Sequence, residues 1–295
     1  MGKRNTGTDS HMAAPFRWSL GRREQLGSLI DQVPDRIRLS AAFMEVMRTT
    51  AARVLALADD ADLAFIGRTP ENLFDYLSGC FDGVEGAPRL TLAPFSLRWA
   101  GGLDDVRPAQ LAGLFDSLRA AGVDSASIAT GDRPLALVDF VAYGGTMESF
   151  VRALMAEAQE AGADWNAVQR RLKIIGLRVR TKNSPNTYRW QQKQDWLHLI
   201  PDTAIRNVSA DAMFLWYLGN EQPKTTESFH PGRWAGDGQA RGPVSDDQRV
   251  ALDFAVQLYD RGLRKDERGR LAFAITRTDR MHQPATRALI SRLKG

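Results

Sequence analysis

Short apolar runs alternate with amphipathic helical segments through the middle of this chain, and that alternation constrains the fold more than any other feature. DLAFIG at 62–67 reads as a strand, and Leu73, Phe74, Leu77 and Phe81 after it recur at helical spacing. RLTLAPFSLRW at 89–99 begins as a strand, and a helix follows over Pro108–Ala121 with the proline near its first turn. Pro134–Ala142 is a third apolar strand, succeeded by a helix over Met147–Ala161 whose Phe150, Val151, Leu154, Met155 and Ala158 share one face. A helix at Ala163–Arg170 leads into a fourth strand at Arg171–Arg180. Strands that alternate with helices predict a parallel sheet covered on both faces, an α/β fold.

The two ends follow a different pattern. Between Arg22 and Ala58 apolar residues recur at helical spacing with Pro34 dividing them, which predicts two helices. Beyond residue 180 lie a polar and aromatic stretch at 181–194, short apolar runs at Trp196–Ile200 and Ala210–Leu218, and a Gly- and Pro-rich surface loop at Lys224–Val244. Helices are expected at Asp246–Asp260, with Ser245 as N-cap, at Glu267–Thr276 and at Pro284–Leu293. The expected organisation is a vector-derived tag at 1–11, a helical extension at 12–60, an α/β core at 61–182 and a mostly helical extension at 183–295.

Composition removes several function classes. At 43% hydrophobic and 25% charged, 295 residues suffice for a packed globular protein. No window approaches the roughly 18 apolar residues of a membrane span, and no secretory leader is evident, so no membrane partner is expected and a cytoplasmic location is. The single Cys80 cannot form an intramolecular disulfide, and His11, His198, His230 and His282 lack metal-ligand spacing. The formal charge of +4 falls by one when Lys3, Arg4 and Asp9 leave with the tag, and charges of both signs are spread along the chain, so nucleic acid is not an expected partner. The Ala, Arg and Gly richness points to a high-GC, bacterial-type genome.

The segment LVDFVAYGGTMESF, 137–150, carries the most chemistry. A parallel strand that ends in a glycine turn and opens a helix aims unpaired N–H groups and a positive dipole end at one point, which suits a phosphate. Gly144 and Gly145 allow close approach, and Thr146 offers a hydroxyl or a cap. Asp139, near the strand's carboxyl end, is placed to accept from sugar hydroxyls or to hold a hydrated Mg²⁺.

These residues resemble the ribose-phosphate motif of the type I phosphoribosyltransferases, a hydrophobic strand with one or two acids before a Thr-Gly-Gly-Thr-like loop. The resemblance implies a phosphoribosyltransferase-type core with helical N- and C-terminal additions. It implies that Asp139 contacts the ribose and the metal, and that Tyr143, Gly144, Gly145, Thr146 and Ser149 form the 5'-phosphate loop. Phe140 stands where most members carry a second acid, and Tyr143 replaces a threonine. About 75 residues earlier, DLAFIGRTPENLFDYLSG resembles the family's first strand and pyrophosphate loop, with Gly67, Arg68 and Thr69 at the matching positions and Glu71 or Asn72 as a helix cap. The implied activity is Mg²⁺-dependent transfer of ribose 5-phosphate from phosphoribosyl pyrophosphate to an unidentified acceptor, with Asp139 and Arg68 as catalytic residues and a homodimer as a common assembly. The alternatives are a sensor of a nucleotide or of phosphoribosyl pyrophosphate without turnover, and an interaction module for nucleic acid or protein.

Leu97–Arg107, with Gly101 and Gly102 as hinges and Arg98 and Arg107 as cations, is the expected closing loop. Lys173, Arg178, Arg180 and Lys182 read first as a solvated strand edge, and His198 and His230 as incidental. Tyr188, Trp190, Trp196, Phe214, Trp216 and Tyr217 read first as core packing, in a position where an acceptor pocket is built.

Overall fold

The computed structural model of the chain describes residues 17–97, 100–180, 190–234 and 244–295. After a single 3₁₀ turn at Arg23–Gln25, helix α1 (Ala41–Ala58) leads to β1 (Asp62–Ile66), α2 (Glu71–Phe81) and β2 (Leu90–Ala93). Helices α3 (Pro108–Ala121) and α4 (Ser125–Thr130) precede β3 (Leu135–Phe140), and α5 (Gly145–Ala161) and α6 (Trp165–Arg171) precede β4 (Leu172–Val179). Among the described residues, three 3₁₀ turns lie between β4 and β5 (Ile205–Ala210). Helices α7 (Ala212–Trp216), α8 (Pro231–Trp234), α9 (Asp246–Leu263), α10 (Lys265–Thr276) and α11 (Pro284–Lys294) complete the chain.

The five strands form one sheet in the order β2-β1-β3-β4-β5, every pair parallel. Alternate side chains feed two cores, as the two-residue period of a strand dictates. Leu63, Phe65, Ala136, Val138, Ile175 and Leu177 face α1, α2, α7 and α9–α11, whereas Ala64, Ile66, Leu137 and Ile174 face α3, α5 and α6. The order reverses between β1 and β3, because β2 lies on one side of β1 and all later strands lie on the other. In open parallel sheets, a crevice forms beyond the carboxyl ends of the strands at that point.

Three expectations about the ends are corrected. Only one helix forms between Arg22 and Ala58; Ser40 caps it through a hydrogen bond from the Phe43 N–H, and the segment before it packs as turns with Trp18, Leu20 and Leu26 against α9. The fifth strand comes from the segment read as a helical extension, so the sheet continues past residue 182. Its IRNVSA sequence, half-exposed at the sheet edge, lacks the continuous apolar run that marks the central strands. Thr225, Thr226, Phe229, Arg233 and Trp234 are buried within the surface loop expected at Lys224–Val244, and Gln222 is buried just before it. Residues 222–234 form a strap in which Gln222 Nε2, Thr225 Oγ1 and Trp234 Nε1 each donate to a partner within the protein.

The N- and C-terminal helices share one face of the sheet and are held by close contact. Gly79 of α2 and Gly262 of α9 meet backbone to backbone: a Cβ on Gly79 would lie 2.0 Å from the Tyr259 carbonyl oxygen, and one on Gly262 2.5 Å from that of Tyr76. Beside that crossing Glu267 is fully buried, accepting from Arg48 at 2.7 and 3.1 Å, Tyr76 at 2.9 Å and Arg261 at 2.9 Å. Burial pushes the Glu267 carboxyl up, but the hydrogen bonds from Arg48 and Tyr76 outweigh it and hold the group below its ordinary range.

Candidate functional site

A cleft of about 450 Å³ opens at the carboxyl ends of β1, β2 and β3, where the strand order reverses. Its lining includes Gly67, Arg68 and Thr69 from the loop after β1, Asp139 from β3, and Gly145, Thr146 and Ser149 from the first turns of α5.

Each loop has a backbone reason for its sequence. Gly67 has a φ of +70°, donates to the Ala93 carbonyl at 2.9 Å, and would place a Cβ 2.8 Å from the Phe95 carbonyl oxygen. Only glycine fits both constraints. Gly144, with a φ of +89°, is the N-cap of α5, and a Cβ there would lie 2.8 Å from the Trp190 ring. The first intrahelical bond of α5 runs from Glu148 N–H to Gly144 C=O, and no side chain caps the helix. The N–H groups of Gly145, Thr146 and Met147 are therefore left without helical partners at the positive end of a long helix. Thr146 does not cap it, contrary to expectation; it lies inside the first turn, exposed toward the cleft.

Asp139 is 4% exposed, and its Oδ1 accepts from the Phe140 N–H at 2.7 Å. Among the described residues no cation pairs with it, and burial pushes its carboxyl up to about 8, with the Phe140 N–H pulling the other way. The neighbouring Phe140 turns to the opposite face and packs on the core below α7. The strand period thus gives the cleft one acid and the core the aromatic ring.

The far wall of the cleft comes from the strap 222–234. Glu71 lies inside α2 rather than capping it, and is buried as the strap's anchor: Gln222 Nε2 donates to one oxygen at 3.0 Å and Thr225 Oγ1 to the other at 2.8 Å. Asn72 is buried one position further into the helix, whose N-cap is Pro70. Arg68 donates to the Thr226 carbonyl at 2.8 Å, and Trp234 to the Pro94 carbonyl at 3.0 Å while stacking on Phe95. The strap delivers Lys224, Ser228 and Phe229 to the cleft. Lys224 donates to the Leu218 carbonyl at 2.7 Å, and burial, with a contribution from Arg68, lowers its ammonium to about 8.

Most of the residues singled out in the sequence meet here. Of the residues assigned to the ribose, phosphate and pyrophosphate contacts, the exceptions are Tyr143, which is 84% exposed, and Gly144, which packs against the Trp190 ring; neither is in the lining. Leu97, Ala100, Gly101 and Gly102 line the cleft, Arg107 caps α3, and Arg98 lies outside the described residues. Trp190 and Trp196 are buried beneath α5; Tyr188 and Lys182 lie outside the described residues. Lys173 is bound to the Ala58 carbonyl and Asp60. Cys80 is buried with its thiol pushed up to about 12, which makes it unreactive. Lys224 and Ser228 had no signal in the sequence, because nothing local distinguishes a lysine on a buried strap from one on a solvated loop. Comparison with family models, with curated proteins and with solved structures finds no match to this chain.

Proposed function

We propose that this cleft binds phosphoribosyl pyrophosphate and that the protein transfers its ribose 5-phosphate to an acceptor. The reading rests chiefly on one observation: a buried carboxyl with no paired cation among the described residues, an uncapped helix N-terminus and a glycine-arginine loop line a single cleft at the sheet's switch point. In this reading the 5'-phosphate sits on the N–H groups of Gly145, Thr146 and Met147, within reach of the Thr146 and Ser149 hydroxyls. Asp139 accepts from the ribose hydroxyls. The Gly67–Thr69 backbone, Arg68 and Lys224 meet the pyrophosphate.

The lining fits a metal carried in by pyrophosphate rather than one caged by protein. Asp139 is the one acid in it, and among the described residues no group of three or more His, Cys, Asp or Glu is assembled for a metal. Mg²⁺ bound with the donor supplies charge neutralisation to the leaving pyrophosphate, and Asp139 is the residue that would hold its shell. During transfer the bond from ribose C1 to pyrophosphate oxygen breaks, its electron pair leaves with pyrophosphate, and the acceptor's lone pair forms the new bond to C1 as the acceptor loses a proton. Arg68 and Lys224 stabilise the charge that grows on the departing group. Leu97, Ala100, Gly101 and Gly102 line the same cleft, where they would limit water access to the reacting centre.

A second reading, binding without turnover, is favoured by Phe140, since its side chain supplies the core and leaves Asp139 as the lone acid. Calorimetric titration with Mg²⁺ and phosphoribosyl pyrophosphate tests both readings, and an absence of heat at millimolar ligand would sink both. Pyrophosphate release with a panel of nucleobases, abolished by Asp139→Asn, selects the enzyme; tight binding without release selects the sensor.

A further inference from the structure

A larger cleft, of about 970 Å³, lies between α1, the outer edge of β5 and α10, and it shares no lining residue with the site above. A second cleft of about 520 Å³ adjoins it along α1, with Glu45, Thr49 and Arg53 common to both, so one groove runs past Arg280, Arg277, Arg270, Arg53 and Arg180.

The groove's acids are largely committed elsewhere. Glu45 pairs with Arg48, whose guanidinium is also held by buried Glu267, and Asp211 caps α7 by accepting from the Met213 and Phe214 N–H groups. Asp279 remains. Among the described residues, Arg180, Arg270, Arg277 and Arg280 have no carboxylate within ion-pair distance. Arg53 is held to the Ser209 carbonyl at 2.7 Å, and its guanidinium is lowered by burial and by the like charge of Arg180. Five guanidinium groups gathered with one uncommitted acid call for a polyanion.

Two further features narrow its class. Phe273 remains 60% exposed with the Arg277 guanidinium 5.2 Å from its ring centroid, so much of the ring is accessible. Among the described residues no strand pairs with the outer edge of β5, and strand addition there is disfavoured because the Ile205 and Ser209 carbonyls already accept from Arg206 and Arg53. An acidic peptide pairing with that edge would lack these acceptors, whereas phosphates need only the cations and a base needs only a ring face.

We propose that the groove binds single-stranded nucleic acid, with its arginines on successive phosphates and one base stacked on Phe273. The modest whole-chain charge conceals this, since the cations concentrate on one face rather than in one stretch of sequence. Fluorescence anisotropy with labelled 12-nucleotide oligouridylate and oligothymidylate, from 50 to 200 mM salt, is the test. The expected result is salt-dependent binding of either strand, with a log–log slope near −3 for about four phosphate contacts. Phe273→Ala should weaken binding by about tenfold with the slope unchanged, and Arg277→Ala should make the slope shallower by about 0.7. These side chains are exposed, so the variants' melting temperatures should match the parent's. No binding at 50 mM salt, tighter binding of a 12-base-pair duplex, equal binding of polyglutamate, or indifference to the Arg270→Ala/Arg277→Ala/Arg280→Ala triple variant would each overturn the proposal. Titration of that triple variant with Mg²⁺ and phosphoribosyl pyrophosphate should match the parent, which separates failure here from failure at the other cleft.

Discussion

Asp139 and Lys224 sit in one cleft with their ionisations drawn toward the same pH from opposite directions, one carboxyl raised to about 8 and one ammonium lowered to about 8. A donor that needs the carboxylate ionised and the ammonium charged should bind best near pH 8, weakening by up to tenfold per pH unit on either side. Binding isotherms from pH 6 to 10 check this; Asp139→Asn should remove the acid limb, and Lys224→Arg the alkaline one. The same carboxyl makes a stability prediction. Its folded value lies above the ordinary 3.8, so between about pH 4 and 8 the native state keeps a proton that the unfolded chain releases, and stability falls as pH rises through that window. Asp139→Asn removes this loss, so its stability relative to the parent should be greater at pH 8 than at pH 4, as denaturant titration would register.

At the scale of elements, the entry to α5 and the strap act as positioning devices. Gly144→Ala forces an alanine into a φ of +89° against the Trp190 ring, and should cost about 2 kcal/mol of stability. If the N-terminus of α5 is the phosphate cradle, the same change weakens phosphoribosyl pyrophosphate binding beyond what any unfolding explains, which calorimetry on the folded fraction separates. Glu71→Ala leaves Gln222 and Thr225 without their acceptor and frees the strap from α2. Its expected signature is a large loss of donor affinity through displaced Lys224, together with faster proteolysis within 222–234, while the far-ultraviolet dichroism of the sheet and helices is preserved.

For the molecule as a whole, the extensions that flank the α/β segment are one of its two covering layers. Glu267 binds α1, α2, α9 and α10 at a single carboxylate. Because its folded value is depressed, its stabilisation is present above the ordinary carboxylate range and disappears as pH falls through the folded value. Glu267→Ala strands the buried Arg48 and should cost about 3–5 kcal/mol at pH 7, with a smaller difference in acid. Deleting 244–295 should not yield a stable core, since it would bare the face of β1, β3 and β4 that α9–α11 cover; a monomeric, cooperatively melting fragment would refute that.

The alternation of strand and helix between residues 62 and 180 was legible because buried parallel strands are continuous apolar runs and their helices carry a regular stripe. Gly67, Arg68, Thr69, Asp139, Gly145, Thr146 and Ser149 were legible as a group because strand–glycine–helix junctions at the sheet's carboxyl end converge whatever else the fold contains. Sequence did not reveal β5, whose edge position demands no apolar run, or the strap, whose burial depends on Glu71 about 150 residues away. It could not show that Asp139 has no paired cation among the described residues or that five scattered arginines share a groove. Local pattern is fixed by the period of a helix or a strand, which a short window of residues contains. Charge environment is fixed by which distant segments pack together and exclude water, and that exists only once the chain has folded.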